Sequence, residues 1–256
     1  MSHFVNADCA ARGWSEAIAA LLEARDHELV NLSVSIRAPL VECTAVTARL
    51  DAFLEQQRLR NRSTAVPAVV TVANTIFPAA LYRPARADAR PRLYEARRRV
   101  AQRRRRFHRR GETYFDRLID YPSREEPINQ LERVIEQLGS ARANGIQNGS
   151  LYELAIFEAK RDARPQGFPC LSHISLSLVA GTIHMTALYR NHYFLRRAYG
   201  NYMGLGRLLG FIARESGYEA GELLCVSSHA ILDPPVAGVK HLYAECLGAL
   251  QQQEAA

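Results

Sequence analysis

The 35 residues from Gly167 to Asn201 read GFPCLSHISLSLVAGTIHMTALYRNHYFLRRAYGN, and this stretch decides how the fold is interpreted. Apolar and polar residues alternate over 172–179 and again over 183–189, on either side of an Ala-Gly-Thr break. This pattern predicts a β-hairpin in a sheet. Apolar residues at helical spacing then predict a long helix over 194–216. Because the hairpin turns near residue 180, we expect Cys170 and Arg190 to lie at the same end of it.

The rest of the chain supplies further strands and helices in an irregular order. Alternation predicts strands over 28–37 and 221–232, and helical periodicity predicts helices over 15–24, 42–58, 128–138 and 239–252, with Ser15 as the first N-cap. Glycines within the long helix, at positions 200, 204, 206 and 210, predict a close approach by a sheet or a ligand. Since regular βαβ alternation is missing, we expect an α+β fold in a single domain, 1–256.

Composition narrows the class of protein. The chain has 256 residues, of which 48% are hydrophobic and 23% charged, as in ordinary globular proteins. Apolar runs stay below the ~18 residues that a membrane span needs, and the N-terminal sequence lacks the features of a signal peptide. The five cysteines are scattered without CxxC spacing. We therefore expect a reduced, cytoplasmic chain with no disulfide framework and no cysteine-rich metal site.

Cys170, Arg190 and Asn201 form the candidate site. A cysteine is a nucleophile only as its thiolate, and a nearby cation lowers the pKa of a thiol. Asn201 follows Arg190 by eleven residues, near the start of the long helix, and its amide can pair with the edge of a pyrimidine. The three side chains would suit one nucleotide-sized ligand. The alternative is a buried structural cysteine, a surface arginine and an asparagine at a helix end.

Motifs around these residues carry a family resemblance. They are Pro169-Cys170, Tyr189-Arg190-Asn191, Tyr199-Gly200-Asn201 and Glu219-Ala220-Gly221-Glu222, preceded by Tyr114, Tyr121-Pro122 and Asn129-Gln130-Leu131. Over roughly half of the chain this set resembles the superfamily of thymidylate synthases and pyrimidine-nucleotide hydroxymethylases. The resemblance implies a mixed β-sheet with flanking helices. It also implies a homodimer that pairs through the sheet face of the 172–189 hairpin.

The resemblance further implies covalent chemistry on a pyrimidine nucleotide. The thiolate of Cys170 would add to ring C6, while Arg190 holds the phosphate and Asn201 recognises the base. Ring C5 would then take a one-carbon unit from 5,10-methylenetetrahydrofolate, and Tyr114 would remove the C5 proton through water. The product would carry a methyl or a hydroxymethyl group. Covalent addition serves this reaction because C5 of an unactivated pyrimidine is a poor nucleophile.

Several positions depart from the family pattern. Arg142 is the candidate for a pair of arginines that reach across the dimer to the phosphate. Asn191 replaces a phosphate-binding serine, Tyr193 replaces a folate-contacting aspartate, and His229 lies near, but shifted from, the ribose-binding segment. We assign Arg142, Asn191 and His229 to substrate binding and Tyr193 to the cofactor. These departures predict a divergent member that acts on a different pyrimidine nucleotide or a related ring.

An arginine-rich run keeps other functions open. Residues 97–110 contain nine of the arginines in a chain of net charge +7. A solvated helix or loop insertion is the simplest interpretation, and nucleic-acid binding is the alternative. A catalytically altered scaffold that only binds a nucleotide or a partner is a further alternative. His192, beside Arg190, is interpreted as a structural histidine or as a ligand contact.

Overall fold

The hairpin of the opening stretch lies within a mixed β-sheet. A computed structural model describes residues 2–61, 66–107, 112–146, 149–163, 169–234 and 236–254. Its strands are β1 (His3–Ala7), β2 (Glu28–Ile36), β3 (Tyr152–Ala155), β4 (Leu171–Val179), β5 (Thr182–Tyr189), β6 (His192–Tyr193) and β7 (Glu219–Ile231). Its helices are α1 (Ala10–Glu23), α2 (Thr44–Asn61), α3 (Val69–Ile76), α4 (Ala89–Phe107), α5 (Tyr114–Ile119), α6 (Gln130–Ala143), α7 (Ala159–Asp162), α8 (Tyr199–Ser216) and α9 (Val239–Glu254).

Strand order in the sheet is β1-β2-β7-β5-β4-β3, with β6 also paired to β7. The β1–β2, β5–β7 and β6–β7 pairs are parallel, and the others are antiparallel. The hairpin β4–β5 closes between Val179 and Thr182. Its two turn residues, Ala180 and Gly181, have φ values of 48° and 83°. Such left-handed values match the twist of a two-residue hairpin, so the predicted hairpin is confirmed.

The long helix predicted over 194–216 begins as one π-helical turn, Phe194–Ala198, and continues as α8. Gly217, at φ 77°, ends it. The glycines on α8 do allow a close approach, and at Gly200 and Gly204 the approaching element is a helix rather than the predicted sheet or ligand. A Cβ on Gly200 would lie 2.7 Å from the carbonyl oxygen of Val69, and one on Gly204 would lie 2.7 Å from that of Ala73. Helix α3 therefore packs directly on the α8 backbone.

One expectation at the N-terminal side is wrong, and the sequence pattern does not predict every strand. Ser15 is not an N-cap, because α1 already begins at Ala10. The Ser15 hydroxyl instead donates to the carbonyl oxygen of Ala11 at 2.9 Å, a bond that serine makes inside helices. Strands β1 and β3 were not predicted. Each has five residues or fewer, and such short strands owe their structure to pairing with β2 and β4 rather than to a long alternating pattern.

The two faces of the sheet differ. Helices α1 and α8 pack on one face, and the core there includes Val34, Ala187 and Cys225. On the other face Phe4, Ser33, Val226 and Leu188 lie in register across four strands. Phe4 is 63% exposed and Leu188 40%. The predicted mixed sheet with flanking helices is confirmed, and one partly apolar face of it is open to solvent in the single chain.

Candidate active site

Cys170 and Arg190 meet at the open end of the hairpin. Cys170 directly precedes β4, and Arg190 directly follows β5. The backbone N–H of Arg190 donates to the carbonyl oxygen of Cys170 at 2.9 Å, and its Nε donates to that of Pro169 at 3.3 Å. The hairpin thus brings the two ends together as its turn position predicts.

Burial and charge act on the Cys170 thiol in opposite directions. Burial raises the pKa of this half-buried thiol, while the guanidinium groups of Arg190 and Arg197 lower it. The net direction is upward. The thiol therefore holds its proton at neutral pH in the ligand-free chain. The Arg190 and Arg197 guanidinium groups would nevertheless stabilise a thiolate once it forms.

Tyr114 lies beside the thiol because it opens helix α5. Thr113 caps this helix, and the Asp116 carboxylate accepts from the Thr113 backbone N–H at 2.8 Å in a capping box. Burial raises the pKa of Tyr114 to about 12, and Cys170 raises it further, whereas hydrogen bonds with the backbone of Leu171 and Cys170 oppose this. Tyr114 is thus a neutral phenol next to the cysteine.

Asn201 is held by a buried hydrogen-bond chain. Its Nδ2 lies 3.0 Å from Nε2 of His192, and Nδ1 of His192 lies 2.9 Å from the Ser227 hydroxyl on β7. All three side chains are buried. Burial lowers the pKa of His192 to about 3, so the imidazole is neutral. A neutral imidazole has one donor and one acceptor, and here Nε2 accepts from Asn201 while Nδ1–H donates to Ser227.

Tyr189 lies between this series of hydrogen bonds and the Cys170 thiol. Its ring stacks on that of His192, with centroids 4.0 Å apart and planes 3° from parallel. Burial raises the pKa of Tyr189 well above its usual value, and Tyr114 and Cys170 are among the groups that raise it further. The Tyr189 hydroxyl is buried without a hydrogen-bond partner among the described residues. Beside the thiol, such a hydroxyl is free of competition from the described residues and can form a hydrogen bond to a ligand.

Asn191 and Tyr193 follow Arg190 on the way to α8. The Oδ1 atom of Asn191 is also buried and lacks a partner within the described chain. Tyr193 is 38% exposed, and the Arg196 guanidinium lies 5.8 Å from its ring centroid. Asp233, fully buried, accepts from the backbone N–H of Leu195 at 2.8 Å and pairs with Arg196. Asp233 thereby holds the π-helical turn that connects Arg190 to Asn201.

Arg142 is not brought to this group, and His229 makes its contact with a different residue, on β2. Arg142 lies in the last turn of α6 and stacks over Tyr218, 5.4 Å from its ring centroid, beyond the C-terminal end of α8. Asn201 is near the other end of that helix, roughly 24 Å away at 1.5 Å per residue. His229 lies on β7, where Nε2 is 2.8 Å from a Glu28 carboxylate oxygen. Their assignment to substrate binding stays a prediction, and for Arg142 it requires a second chain.

The arginine-rich run belongs to α4, and part of it supports the site. The Nε and Nη2 atoms of Arg97 donate to the two carboxylate oxygens of Asp116 at 2.6 and 2.8 Å, and Nη2 donates to the Thr113 hydroxyl at 2.9 Å. Both charged side chains are buried. Since Thr113 and Asp116 cap α5, Arg97 anchors the helix that presents Tyr114. Residues 108–110 lie outside the described ranges.

Other arginines near α4 surround a surface cavity of about 240 Å³, whose charged lining residues are Arg83, Arg86, Arg92, Glu95 and Arg99. Asp88 pairs with Arg86 and Arg92, and Glu95 pairs with Arg99. The cavity therefore carries an excess of positive charge, part of it neutralised by exposed ion pairs.

Two negative findings concern the described ranges only. Among 2–61, 66–107, 112–146, 149–163, 169–234 and 236–254, no three or more His, Cys, Asp or Glu side chains cluster in a way that could hold a metal ion. In the same residues, no helix is both long and apolar enough to cross a membrane.

Sequence reasoning did not include Arg197, Ser227 or Tyr189 in the site. Arg197 follows Arg190 by seven residues and precedes Asn201 by four, a helical spacing that could have indicated it. Ser227 and Tyr189 carry no such signal, because their roles depend on the pairing of β5 with β7. The sequence left His192 as either a structural histidine or a ligand contact. Its burial and its contact with Asn201 support the structural interpretation.

Together these elements define a mixed-sheet protein of strands and flanking helices, with a thiol beside cationic side chains and a buried tyrosine at one end of a central hairpin. No family model matches the chain. Curated relatives do. The chain is 30% identical over 140 residues to a protein of Methanocaldococcus jannaschii named "Putative thymidylate synthase", covering 52% of this chain and 61% of the relative. It is 28% and 27% identical over 118 and 119 residues to proteins of the same name from Methanosarcina acetivorans and Methanococcoides burtonii.

The resemblance predicted from the motifs is confirmed by these relatives: over 46–52% of its length the chain is similar to proteins named putative thymidylate synthase. The matched part spans 51–61% of the length of the relatives.

Proposed function

We propose that the chain is a divergent one-carbon transferase that methylates or hydroxymethylates C5 of a pyrimidine nucleotide or related ring. The observation that carries the proposal is the placement of Cys170, Arg190 and Tyr114 at one end of the hairpin, with Arg197 also acting on the thiol. A thiol beside two cations and a phenol is suited to covalent catalysis on an anionic ligand. The relatives' name supports the same class of reaction.

In the first step the Cys170 sulfur forms a bond to ring C6, and the electrons of the C5–C6 double bond move toward C5 and its neighbouring carbonyl. The thiol must lose its proton for this, and burial opposes ionisation. Arg190 and Arg197 offset part of that cost, and Arg190 also offers its charge to the nucleotide phosphate. The orphaned Asn191 Oδ1 and Tyr189 hydroxyl can complete hydrogen bonds to the bound ligand.

Tyr114 is proposed to act through water. With a pKa near 12 its phenol is protonated at neutral pH, so it is not the resting base. It can instead orient a water molecule that takes the C5 proton once the ring is bonded to Cys170. Asn201, oriented by His192, is proposed to pair with the edge of the ring.

A one-carbon donor must meet the ring, and we propose 5,10-methylenetetrahydrofolate. The aspartate of the family pattern is replaced by Tyr193. The exposed Tyr193 ring beside the Arg196 guanidinium offers a flat surface and a positive charge, which fit a flat, anionic donor of this class. When bound, the donor would supply the carbon unit that C5 accepts, and its reduced ring would supply the hydride for a methyl product, whereas water would supply the hydroxyl of a hydroxymethyl product. Breaking the bond between Cys170 and C6 then restores the C5–C6 double bond and frees the thiolate.

Covalent capture tests the proposal. The protein is incubated with 5-fluoro-2′-deoxyuridine monophosphate or its cytidine counterpart, together with the folate donor, and the intact mass is measured. A mass increase of one nucleotide plus the carbon donor is expected, and Cys170→Ala should abolish it. Cys9→Ala is the matched control because Cys9 is also half-buried. An unmodified mass with every nucleotide would favour the scaffold alternative.

The open sheet face supports a homodimer as part of this proposal. Phe4, Leu188 and Val226 form a partly exposed apolar row that a second copy could cover. Light scattering should give twice the chain mass. Leu188→Arg should shift the protein toward monomer, whereas Leu59→Arg, at an exposed residue on helix α2 rather than on the sheet, should not. A monomeric wild-type protein would contradict the dimer.

The arginine-lined cavity supports a second candidate, binding of nucleic-acid phosphates. Retention on an immobilised RNA oligonucleotide should then fall steeply with salt. The paired substitution Arg92→Gln/Arg99→Gln should weaken it, whereas Arg25→Gln, at an exposed residue outside the cavity, serves as the charge control. If retention changes neither with the salt concentration nor with the Arg92→Gln/Arg99→Gln substitution, this candidate is excluded.

A further inference from the structure

The amide of Asn201 is not oriented by its helix alone. Helix α8 places the side chain near the site, but the contact of Nδ2 with His192 Nε2 decides which amide atom points toward the histidine. The imidazole is in turn held from two other sides, by the Ser227 hydroxyl and by the parallel ring of Tyr189. The Phe194 ring, with its centroid 5.1 Å from that of His192, packs against it as well.

The orientation matters because an amide can be turned by 180° at little cost in shape. Such a flip exchanges the positions of its donor and its acceptor. A uracil edge presents the O4 acceptor beside the N3–H donor, whereas a cytosine edge presents the N4–H donor beside the N3 acceptor. An amide held in one orientation satisfies one of these patterns and leaves polar atoms unpaired against the other.

We propose that His192 is a positioning residue that fixes the orientation of the Asn201 amide and so makes the site select one pyrimidine edge over the other. This inference rests on the proposed function and names what sets its ring specificity. His192 touches Asn201 and acts through it, so it is not itself a catalytic residue.

Rigidity makes His192 suitable for this role. The side chain is 1% exposed and is packed between aromatic rings, so it has little freedom to turn. Burial lowers its pKa to about 3, so near neutral pH the ring keeps one donor and one acceptor. Ser227 completes the chain, because its hydroxyl accepts the Nδ1 proton and leaves Nε2 to accept from Asn201.

Two amide substitutions at position 192 separate the two nitrogen contacts. Asparagine places its amide near the position of imidazole Nδ1, so His192→Asn can keep the contact with Ser227 and lose that with Asn201. Glutamine places its amide near the position of Nε2, so His192→Gln can keep the contact with Asn201. Both variants lose the stacked ring on Tyr189, and they are therefore matched controls for each other.

The measurement is the ratio of dissociation constants for 2′-deoxyuridine and 2′-deoxycytidine monophosphate, obtained by calorimetry. The wild-type protein should bind one of them at least about tenfold more tightly, the scale expected when buried polar groups are left unpaired. His192→Gln should stay within about threefold of that ratio, and His192→Asn should bring the ratio close to one. Tyr202→Phe should leave it unchanged, because it keeps a ring whose centroid is 5.9 Å from that of His192 and removes only a hydroxyl without a partner in the described chain.

A ratio unchanged in His192→Asn would overturn the inference, even if both affinities fall together, because uniform loss indicates a merely structural role. A wild-type protein that binds both nucleotides equally would overturn it too. If neither histidine variant folds, Ser227→Ala decides, since it frees the imidazole tautomer and should reduce the ratio. If the wild type binds neither nucleotide, the proposed function itself fails. If the wild type binds one nucleotide tightly and selectively, but the ratio does not change with substitution of His192, only the inference fails.

Discussion

Two neighbouring parts of the molecule bury polar groups and satisfy them differently. Between α4 and α5, the Arg97 guanidinium and the Asp116 carboxylate contact each other twice and share the Thr113 hydroxyl. At the open end of the hairpin, the Tyr189 hydroxyl and Asn191 Oδ1 are buried without partners among the described residues. The first arrangement stabilises a scaffold, whereas the second leaves hydrogen-bonding capacity unused among the described residues. Tyr114 lies where the two regions meet.

The strongest test of this comparison is to remove the buried ion pair between Arg97 and Asp116. Arg97→Met should lower the free energy of unfolding by about 3–5 kcal/mol, because it leaves the Asp116 carboxylate buried without its cation. Arg99→Met breaks an exposed pair with Glu95 and should cost below about 1 kcal/mol. Urea unfolding measures both. Equal effects from the two substitutions would show that the buried pair has no special role.

Titration of His192 is the next largest effect. Its pKa is about 3 in the folded protein and ~6.5 in an unfolded chain. Between these values the unfolded chain binds a proton that the folded protein does not, so stability falls as pH is lowered through this window. From pH 7 to pH 4 the loss from this group should be about 3 kcal/mol.

The control is His192→Gln, which lacks the titrating ring and should lose that much less stability over the same pH range. Urea unfolding at both pH values, with the two proteins compared, isolates this contribution. Parallel pH dependences in wild type and variant would argue against a buried neutral imidazole.

Reactivity of the thiol sharpens the comparison at the site itself. The charges of Arg190 and Arg197 lower the pKa of Cys170 against the effect of burial. Arg190→Gln and Arg197→Gln should each move the thiol pKa upward and slow its alkylation by iodoacetamide near pH 8 several-fold. Arg92→Gln, in the surface cavity, should leave the rate at its wild-type value. The pH dependence of alkylation, read by mass spectrometry, decides whether the arginines act on this thiol.

The smallest effect is expected at an orphaned hydroxyl. Tyr189→Phe removes a group that has no hydrogen bond in the described chain, so stability should change by less than about 1 kcal/mol and in the favourable direction. Nucleotide affinity should fall at the same time, if the hydroxyl serves the ligand. Thermal shift with and without nucleotide measures both quantities. A clear loss of stability without ligand would indicate an internal partner for the hydroxyl and weaken the contrast.

Much of the fold could be predicted because its largest elements carry strong local patterns. The hairpin β4–β5 alternates over two full strands, and α8 keeps apolar residues at helical spacing. The short strands β1 and β3 could not be predicted, since they form by pairing rather than by periodicity. The N-cap prediction for Ser15 is wrong for the opposite reason. Serine suits an N-cap, but in the fold α1 begins five residues earlier, at Ala10.

The candidate site divides in the same way. The sequence alone determined the spacing of Cys170, Arg190 and Asn201, because the register of a hairpin and the start of a helix follow from local pattern. Only the tertiary structure decided that Arg197 acts on the thiol and that His192 and Ser227 orient Asn201. It also decided that Arg142 lies beyond the far end of α8 and that His229 contacts Glu28. Local pattern sets where a residue lies along its own element, whereas burial and contacts between β5, β7 and α8 set what each side chain meets, and these depend on the whole fold.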